Sequence, residues 1–411
     1  MWIVPVRCRL TCIQEMVNTA IPGMIFPVMS QEVEVNLVGT VPIWMVVFTS
    51  GCLILPLVTD RIDFVNAIVK NTPAAGALWT TRPMPVAGVG ELLVRIDAVS
   101  LCGTDLHVYN WDAWSAGRVK PPVTMGHEWA GEVLELGPNT TGFVPGDRVS
   151  GESHKICGHC RQCRTGDGHV CTSTQIFGVD TDGCFGQYFA VPAASVLKND
   201  PRIPNTISCL QDPLGNAVHA ALVEPLAGKS VAILGCGPIG LFAIAVCRAV
   251  GATNIIATDA SQYRLDLAKT VGADHVLNVR DTDVDDAVAT LTHGMGVDVV
   301  LEMSGAPKAI QQSLRLAKPG GRISLMGIPA GSVDLNVAED IIFKGLRIHG
   351  VVGRRLYDTW FTMQDLLASG RLDVTPIRTH ILPFDQFDAG FALMQAGTCG
   401  KVVLKVSEHA D

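Results

Sequence analysis

The segment Ser230-Val-Ala-Ile-Leu-Gly-Cys-Gly-Pro-Ile-Gly240 joins a short apolar run to a glycine-rich turn. The consecutive apolar residues 231–234 are typical of a strand buried on both faces of a parallel sheet. Pro238 then opens a run of small and apolar residues that extends to position 250 and predicts a helix. A buried strand, a tight turn and a helix in this order indicate the start of a doubly wound parallel sheet.

Strand and helix patterns alternate on the carboxyl side of this segment. They predict a helix over residues 262–271 and strands over 254–258, 297–303 and 322–326. On the amino side, short strands with Gly/Pro turns run to about residue 192, beginning with 65–70 and 92–98. After residue 354 we expect the chain to return to this β-rich part, with a last strand over 401–406. The predicted fold is α/β, with a β-rich domain (65–213 and 355–411) and a parallel-sheet domain (214–354).

The glycine turn has the pattern G-x-G-x-x-G, formed by Gly235, Gly237 and Gly240. The pattern is a weak signal alone, but here it follows a strand, opens a helix and precedes a strand that ends in Asp259, 19 residues beyond Gly240. Such a turn lets a pyrophosphate approach the backbone at a helix N-terminus. Asp259 would accept hydrogen bonds from the ribose hydroxyls and repel a 2′-phosphate, so the sequence favours NAD over NADP. Arg264 argues the other way, because a nearby arginine accommodates a 2′-phosphate.

Four cysteines follow one another at the spacing C-x2-C-x2-C-x7-C, as Cys157, Cys160, Cys163 and Cys171. Four thiolates can surround one tetrahedral zinc ion and leave no open coordination position, which is the arrangement of a structural zinc site. The alternative is a set of unpaired or disulfide-bonded cysteines, but such tight spacing favours zinc.

A second group of potential metal ligands lies upstream. Cys102 belongs to Cys-Gly-Thr-Asp105, and His127-Glu128 follows 25 residues later. A catalytic zinc takes about three protein ligands and keeps a position open for water or substrate. One thiolate, one imidazole and one carboxylate leave the zinc site near neutral in charge, so the ion stays an effective Lewis acid. A lone cysteine or histidine is usually structural, but their joint occurrence predicts a catalytic zinc site.

Composition excludes several other classes of protein. The chain has 411 residues, a formal net charge of -8 and 48% hydrophobic residues, as expected of a globular protein large enough for two domains. No basic tract is present, so nucleic acid is not an expected partner. Thirteen cysteines that cluster at metal spacing fit a reducing compartment, and we expect a cytoplasmic protein.

Residues 1–64 differ from the rest of the chain. They are apolar with few charges, and residues 41–58 carry no charge over 18 positions, the lower limit for a membrane-spanning helix. This run contains two prolines and a glycine and lacks flanking Lys/Arg clusters, so no membrane association is expected. We predict a poorly ordered extension or upstream sequence from a misplaced start site, with a start at Val65. A membrane anchor and a targeting or regulatory segment are the alternatives.

On these motifs, the chain resembles the medium-chain, zinc-dependent alcohol dehydrogenase superfamily, and within it the threonine dehydrogenases. The resemblance covers about residues 65–406. Its distinctive stretches are residues 102–114, 151–154, 212–219 and 302–307. It implies a GroES-like β-rich catalytic domain followed by a Rossmann domain.

The resemblance also implies roles for individual residues. Cys102, His127 and Glu128 would bind a catalytic zinc, and the four clustered cysteines a structural zinc, giving two zinc ions per subunit. Thr104 and His107 would remove the hydroxyl proton, and Asp212 would act beside the catalytic zinc or in the proton relay. The positions implied to line the NAD site are Gly235, Gly237, Ile239, Gly240, Asp259, Arg264, Met326, Gly327, Ile328, Val351 and Val352.

The implied reaction is the oxidation of L-threonine at C3 by NAD to 2-amino-3-oxobutanoate and NADH. Glu152 and His154 are weak candidates for recognising the substrate, because a polar loop beside the cysteine cluster explains them equally well. The alternative is a polyol or other secondary-alcohol dehydrogenase of the same superfamily, which would share this skeleton and differ in its pocket. The resemblance also implies a homotetramer, with the apolar region 341–352 pairing across subunits.

Overall fold

The computed structural model describes residues 64–410, together with the backbone of Ile43–Phe48 and Gly51–Pro56. Those two segments form an antiparallel pair in which Phe48 lies opposite Gly51, so the apolar run 41–58 is extended where it is described. The other predictions for residues 1–64 lie outside the described residues. No helix in the described part of the chain combines the length and apolar composition needed to cross a membrane.

A six-stranded parallel sheet forms around the segment quoted first. Val231 of the central strand pairs with Ile255 on one side and Val299 on the other. Because both neighbours are strands and helices cover both faces, the apolar run is buried on every side. In spatial order the strands are His275–Asn278, Asn254–Asp259, Ser230–Leu234, Val297–Glu302, Ala317–Leu325 and Arg347–Gly350.

Helices cover this sheet, as the alternating pattern predicts. Strand order reverses at Ser230–Leu234, because the next strand along the chain lies on one side of it and later strands lie on the other. Open α/β sheets bind ligands at the carboxyl ends of the strands beside such a reversal. The helices are Pro238–Ala249, Gln262–Thr270, Val284–Leu291, Pro307–Leu316 and a π-helical turn Val337–Ile342.

The β-rich part is a seven-stranded sheet. Glu91–Ser100 pairs with Trp129–Leu136 and Tyr188–Pro192, and the late strand Lys401–Lys405 pairs antiparallel with its end, where Val403 lies opposite Ser100. The chain therefore returns to the first sheet. The remaining strands of this sheet are Arg148–Gly151, Val196–Lys198 and Arg378–Pro383.

Smaller elements complete the described chain. A three-stranded sheet contains Leu78–Pro83, Phe64–Lys70 and Val123–Thr124, and a two-stranded one contains His154–Lys155 and Gln175–Ile176. The other α-helices are Gly103–Asn110, Ala113–Arg118, Arg161–Arg164, Asn205–Ser208, Gln211–Leu222, Asp358–Ala368 and Phe387–Ala396, and the 3-10 turns are Gly168–Val170, Ala193–Ser195, Thr375–Ile377 and Phe384–Gln386.

The core of the β-rich part is aromatic. Trp129 packs edge-on against Phe189 with ring centroids 5.8 Å apart, and Phe189 packs likewise against Phe177 at 5.3 Å. All three side chains are buried. Edge-to-face pairs of this kind add about 0.5–1.5 kcal/mol each beyond the burial of their area. They hold the strand that begins at Trp129, immediately after the predicted ligands His127 and Glu128.

Candidate active site

Strand pairing brings the three predicted ligands of the catalytic zinc together. Val99 lies opposite Trp129 in antiparallel strands, so Cys102 leaves one strand at the end where His127 and Glu128 enter the other. One potential ligand atom from each of Cys102, His127 and Glu128 lies within 4.8 Å of the others. A thiol, an imidazole and a carboxylate at such separations fit one zinc ion.

Glu128 shows that this cluster suits a cation. Its side chain is fully buried, and Oε2 accepts hydrogen bonds from Ser100 Oγ and from Lys401 Nζ, the latter at 2.5 Å. Oε1 has no hydrogen-bond partner within the described residues. A buried carboxylate oxygen without a donor costs free energy unless a cation meets it. The orphaned oxygen therefore fits a metal ligand.

Asp105 supports the same cluster from the following helix. Its Oδ2 accepts from the Cys102 backbone N–H at 3.0 Å, and its Oδ1 lies 3.5 Å from His127 Nδ1. Burial raises the pKa of Asp105 to about 6, against the attraction of His127. Asp105 thus fixes the backbone of Cys102 and places a buried carboxylate beside His127.

The four cysteines of the second cluster converge in the same way. Their sulfur atoms lie within 4.8 Å of one another, and Cys160 Sγ is 3.4 Å from Cys163 Sγ and 3.9 Å from Cys171 Sγ. Four sulfurs at about 2.3 Å from one zinc stand about 3.8 Å apart. The backbone N–H of Cys160 donates to Cys157 Sγ at 3.4 Å. Donation from the amides of Cys163 and Thr172 lowers the pKa of the Cys160 thiol to about 6, which favours the thiolate that binds metal.

Asp212 lies beside the site at the start of Gln211–Leu222, and its carboxylate is held by neighbours. Oδ1 accepts from the Ser153 N–H at 3.0 Å, and Oδ2 accepts from Arg354 Nη1 at 3.1 Å. Burial raises the pKa of Asp212, although Arg354 opposes the shift. Asp212 is not among the residues whose donor atoms gather with Cys102, and its role in catalysis stays a prediction.

Arg354 also occupies the carboxylate of Glu152. Arg354 Nε donates to Glu152 Oε2 at 2.8 Å, Arg354 Nη2 donates to Glu152 Oε1, and Trp360 Nε1 donates to Oε2 at 3.0 Å. Burial alone would raise the pKa of Glu152, but Arg354 holds it below its ordinary value. Glu152 therefore works as a buried anchor for Arg354, while His154 remains partly exposed beside it.

Thr104 and His107 lie on the helix Gly103–Asn110, three residues apart and hence on one face. The His107 side chain is 60% exposed, and its Nδ1 lies 2.5 Å from Asp112 Oδ2. The helix begins directly after Cys102. The predicted proton-relay residues thus directly follow the potential ligand Cys102 in the chain, and His107 reaches solvent.

The glycine turn has the geometry of a phosphate cradle. Gly235 has a φ of +98°, and a Cβ on Gly240 would lie 1.9 Å from the Gly235 carbonyl oxygen, so neither position accepts a side chain. A Cβ on Gly237 would meet nothing within 4 Å, which leaves open space where the helix N-terminus begins. Asp259 Oδ2 accepts from the Cys236 N–H at 2.8 Å, and Arg264 lies 4.0 Å from the same oxygen. These residues fit a dinucleotide.

The other predicted cofactor residues lie along the same edge of the sheet. Met326 follows the strand Ala317–Leu325, and Val351 follows Arg347–Gly350. Both therefore stand at carboxyl ends of parallel strands, as Gly235 and Asp259 do. Ile239, at the start of the helix Pro238–Ala249, is partly buried, whereas Ile328 and Val352 are 90% and 52% exposed. Gly327 packs closely against the backbone of Gly305, because a Cβ at Gly327 would lie 2.0 Å from the Gly305 nitrogen.

The sequence motifs did not predict a functional role for three residues: Lys401, Arg354 and Asp112. Lys401 contacts Glu128 across 273 residues, and Arg354 contacts Glu152 across 202. Asp112 offered a signal, since an aspartate five residues after a histidine can turn back onto it at a helix end. For the two buried cations, only the pairing of distant strands and loops provides the contact.

Comparisons with known proteins agree with this geometry. A model for the alcohol dehydrogenase GroES-like domain matches residues 88–204, and a model for zinc-binding dehydrogenases matches residues 238–369. Fold and site thus define a zinc-binding dehydrogenase of the medium-chain alcohol dehydrogenase class, which confirms the predicted α/β fold class.

The L-threonine 3-dehydrogenase of Pyrococcus abyssi (strain GE5 / Orsay) is 50% identical over 338 residues, which cover 82% of this chain and 97% of that protein. The L-threonine 3-dehydrogenase of Bacillus licheniformis is 46% identical over 340 residues, or 83% and 98% of the two chains. The chain belongs to the L-threonine 3-dehydrogenase family.

Solved structures give the same fold at lower identity. A putative zinc-binding dehydrogenase from Sinorhizobium meliloti 1021 bound to NADP has a TM-score of 0.76 at 29% identity, covering 83% of this chain and 99% of that one. The 2R,3R-butanediol dehydrogenase from Bacillus subtilis has a TM-score of 0.75 at 26% identity, with the same coverage.

Proposed function

We propose that the protein oxidises L-threonine at C3 with NAD, forming 2-amino-3-oxobutanoate and NADH. The observation that carries the proposal is the cluster of half-buried Cys102 with buried His127 and Glu128, with an orphaned carboxylate oxygen, in a chain of this family. The identity of the substrate is inferred from the relatives named above, which are L-threonine 3-dehydrogenases. When bound, zinc polarises the substrate hydroxyl and NAD accepts the hydride.

The chain's own residues then have separate tasks. Cys102, His127 and Glu128 would hold the catalytic zinc, and Lys401 pairs with Oε2 of the Glu128 carboxylate. Thr104 and His107 take the hydroxyl proton toward solvent from one face of their helix. Keeping these groups in fixed positions favours loss of the proton only from a correctly placed hydroxyl.

Asp212 is proposed to act through charge rather than as a ligand. Its carboxylate lies beside the metal cluster and is held by Arg354 and the Ser153 amide. An aspartate is shorter than a glutamate, so it favours an outer position in which it tunes the site or serves the proton relay. His154 remains the candidate for the substrate's charged groups, because Arg354 and Trp360 occupy Glu152.

We propose NAD rather than NADP as the cofactor. Each Asp259 oxygen accepts one backbone hydrogen bond, from Cys236 or Ser261, and so keeps a second lone pair, although Arg264 lies 4.0 Å from Oδ2. It would accept the ribose hydroxyls and repel a 2′-phosphate. We also propose two zinc ions per subunit, the second held by Cys157, Cys160, Cys163 and Cys171.

The domain division, assembly and location are further parts of this proposal. We propose an N-terminal extension over 1–64, a β-rich catalytic domain over 65–213 and 355–411, and a dinucleotide-binding domain over 214–354. The helix Gln211–Leu222 runs across the boundary between residues 213 and 214. A homotetramer is supported by the edge strand Arg347–Gly350, which carries the exposed Ile348 and follows the exposed Phe343. A cytoplasmic location is supported by the cluster of Cys157, Cys160, Cys163 and Cys171, which are free thiols at metal-binding spacing.

The test is NADH formation from NAD by the full-length protein, followed by absorbance. L-Threonine is compared with D-threonine, sorbitol and butane-2,3-diol, each before and after treatment with a zinc chelator. Chelator-sensitive turnover that prefers L-threonine supports the proposal. A preference for sorbitol or butanediol would contradict the proposal and support a polyol or other secondary-alcohol dehydrogenase. The mass of the native assembly, measured by light scattering, tests the proposed homotetramer.

A further inference from the structure

His107 is held between Asp112 and Trp114, which lie at the start of the next helix, Ala113–Arg118. Its Nδ1 lies 2.5 Å from Asp112 Oδ2, and its ring centroid lies 6.0 Å from that of Trp114. Trp114 is itself covered by the Arg118 guanidinium, 5.7 Å from the ring centroid, and Arg118 pairs with Asp180. An exposed imidazole would otherwise rotate freely, so these contacts restrict its orientation.

Asp112 is anchored on its other oxygen. It is the N-cap of the helix Ala113–Arg118, and its Oδ1 accepts from the Ser115 backbone N–H at 3.0 Å. Ser115 is fully buried. The Ser115 amide and the His107 ring lower the pKa of Asp112, so the carboxylate stays ionised. One oxygen is thus fixed by the backbone, and the other is presented to His107.

We propose that Asp112 is a positioning residue for His107, which it holds in the tautomer that carries its proton on Nδ1. An ionised carboxylate only accepts hydrogen bonds, so the short contact requires His107 Nδ1 to donate. His107 Nε2 then keeps its lone pair and can accept a proton. The inference rests on the proposed function for its catalytic consequence, because His107 is the proposed proton relay.

The proton balance follows from this tautomer. The proton leaves the substrate hydroxyl by way of Thr104 and is accepted by the Nε2 lone pair of His107. The resulting imidazolium is stabilised by Asp112, which keeps its own charge, and Nε2 then releases the proton to water. With the opposite tautomer, Nε2 carries a proton already and cannot accept another.

An Asp112→Asn substitution separates this role from helix capping. The fixed Ser115 N–H requires an oxygen at its position, so the amide NH2 of the asparagine must face His107. It would donate to Nδ1 and force the proton onto Nε2. Asparagine is as good an N-cap as aspartate, so the helix is retained.

The matched control is Asp283→Asn. Asp283 caps Val284–Leu291 with the same geometry, accepting from the Asp286 N–H at 3.1 Å, but it lies in the parallel-sheet part of the chain. Both substitutions remove one negative charge from an N-cap, and only Asp112→Asn changes a histidine contact.

We expect D112N to lower kcat about tenfold or more, since a positioned general base contributes about 10²–10⁴ in rate. KM for L-threonine and the melting temperature should change little, and D283N should match the wild type. In an H107N background, D112N should cause no further loss. A full tenfold loss in that background, or an unchanged kcat in D112N, would overturn the inference.

A readout without substrate keeps the two proposals distinct. In protein labelled with 15N-histidine, the His107 signals are assigned by their absence in H107N. The wild type should show a protonated Nδ1, and D112N a protonated Nε2. The same tautomer in both proteins contradicts the inference. Failure of the wild type to oxidise L-threonine contradicts the proposed function and leaves this measurement decisive for Asp112.

Discussion

Replacing Arg354 with methionine should destabilise the protein, because it removes the positive charge that pairs with two buried carboxylates. The Arg354 side chain is 1% exposed and bridges Glu152 and Asp212, which lie on segments far apart in sequence. It also donates to Ser153 Oγ at 2.7 Å and to Asn216 Oδ1 at 2.9 Å. Methionine preserves much of the apolar stem and deletes every one of these donors.

The expected magnitude follows from burial. The substitution leaves two buried carboxylates, Glu152 and Asp212, whose side chains are 0% and 6% exposed, without their cation. Removing one partner from a buried pair costs about 3–5 kcal/mol. Because Arg354 serves two carboxylates, we expect the free energy of unfolding to fall by about 4 kcal/mol or more near pH 7.

The effect should also depend on pH with a defined sign. Arg354 lowers the pKa of Glu152 in the fold, so the bridge contributes its stability above the ordinary value of 4.5 and loses it as the pH falls further. In the methionine variant, the main opposition to burial is lost, so Glu152 takes up a proton at a higher pH. The difference between wild type and variant should therefore shrink as the pH is lowered below 4.5.

Arg315→Met is the matched control. Arg315 makes the same forked contact with Asp285, at 3.0 and 3.1 Å, but its side chain is 50% exposed. Exposed pairs contribute about 0–1 kcal/mol. Unfolding in denaturant, followed by tryptophan fluorescence at fixed zinc and protein concentration, compares the two variants. If the Arg354 variant loses no more stability than the Arg315 variant, burial is not what makes this bridge strong.

Three further predictions concern other parts of the chain. Burial lowers the pKa of His219, so protonation of this side chain destabilises the fold as the pH falls below 6.5. The variant H219N keeps a donor to the Gly353 carbonyl and should lose less melting temperature than the wild type between pH 7.5 and 5.5. K401M should weaken zinc binding by about 10–100-fold in chelator competition, because Glu128 loses its charged partner; K401R should recover part of it. C163S should remove the zinc ion proposed for the four-cysteine cluster, which lowers the zinc content measured by mass spectrometry and the melting temperature, whereas C399S should change neither.

Local motifs are what the sequence determined by itself. The strand, the glycine turn and the helix from Ser230 to Ala249 occupy adjacent positions, so their spacing alone implied the dinucleotide cradle. The four cysteines lie within 15 residues, and His127 and Glu128 are neighbours. Interactions among residues this close in the chain depend on backbone geometry, which local sequence specifies.

Contacts between distant segments were decided only by the tertiary structure. Cys102 reaches His127 and Glu128 because two antiparallel strands end at the same place, and Lys401 reaches Glu128 because the last strand joins that sheet. Arg354 could not be assigned from its sequence neighbours, since its partners Glu152 and Asp212 lie 202 and 142 residues away. A buried charge is stable only beside an opposite charge, but the long-range packing of strands and helices decides which residue provides that opposite charge.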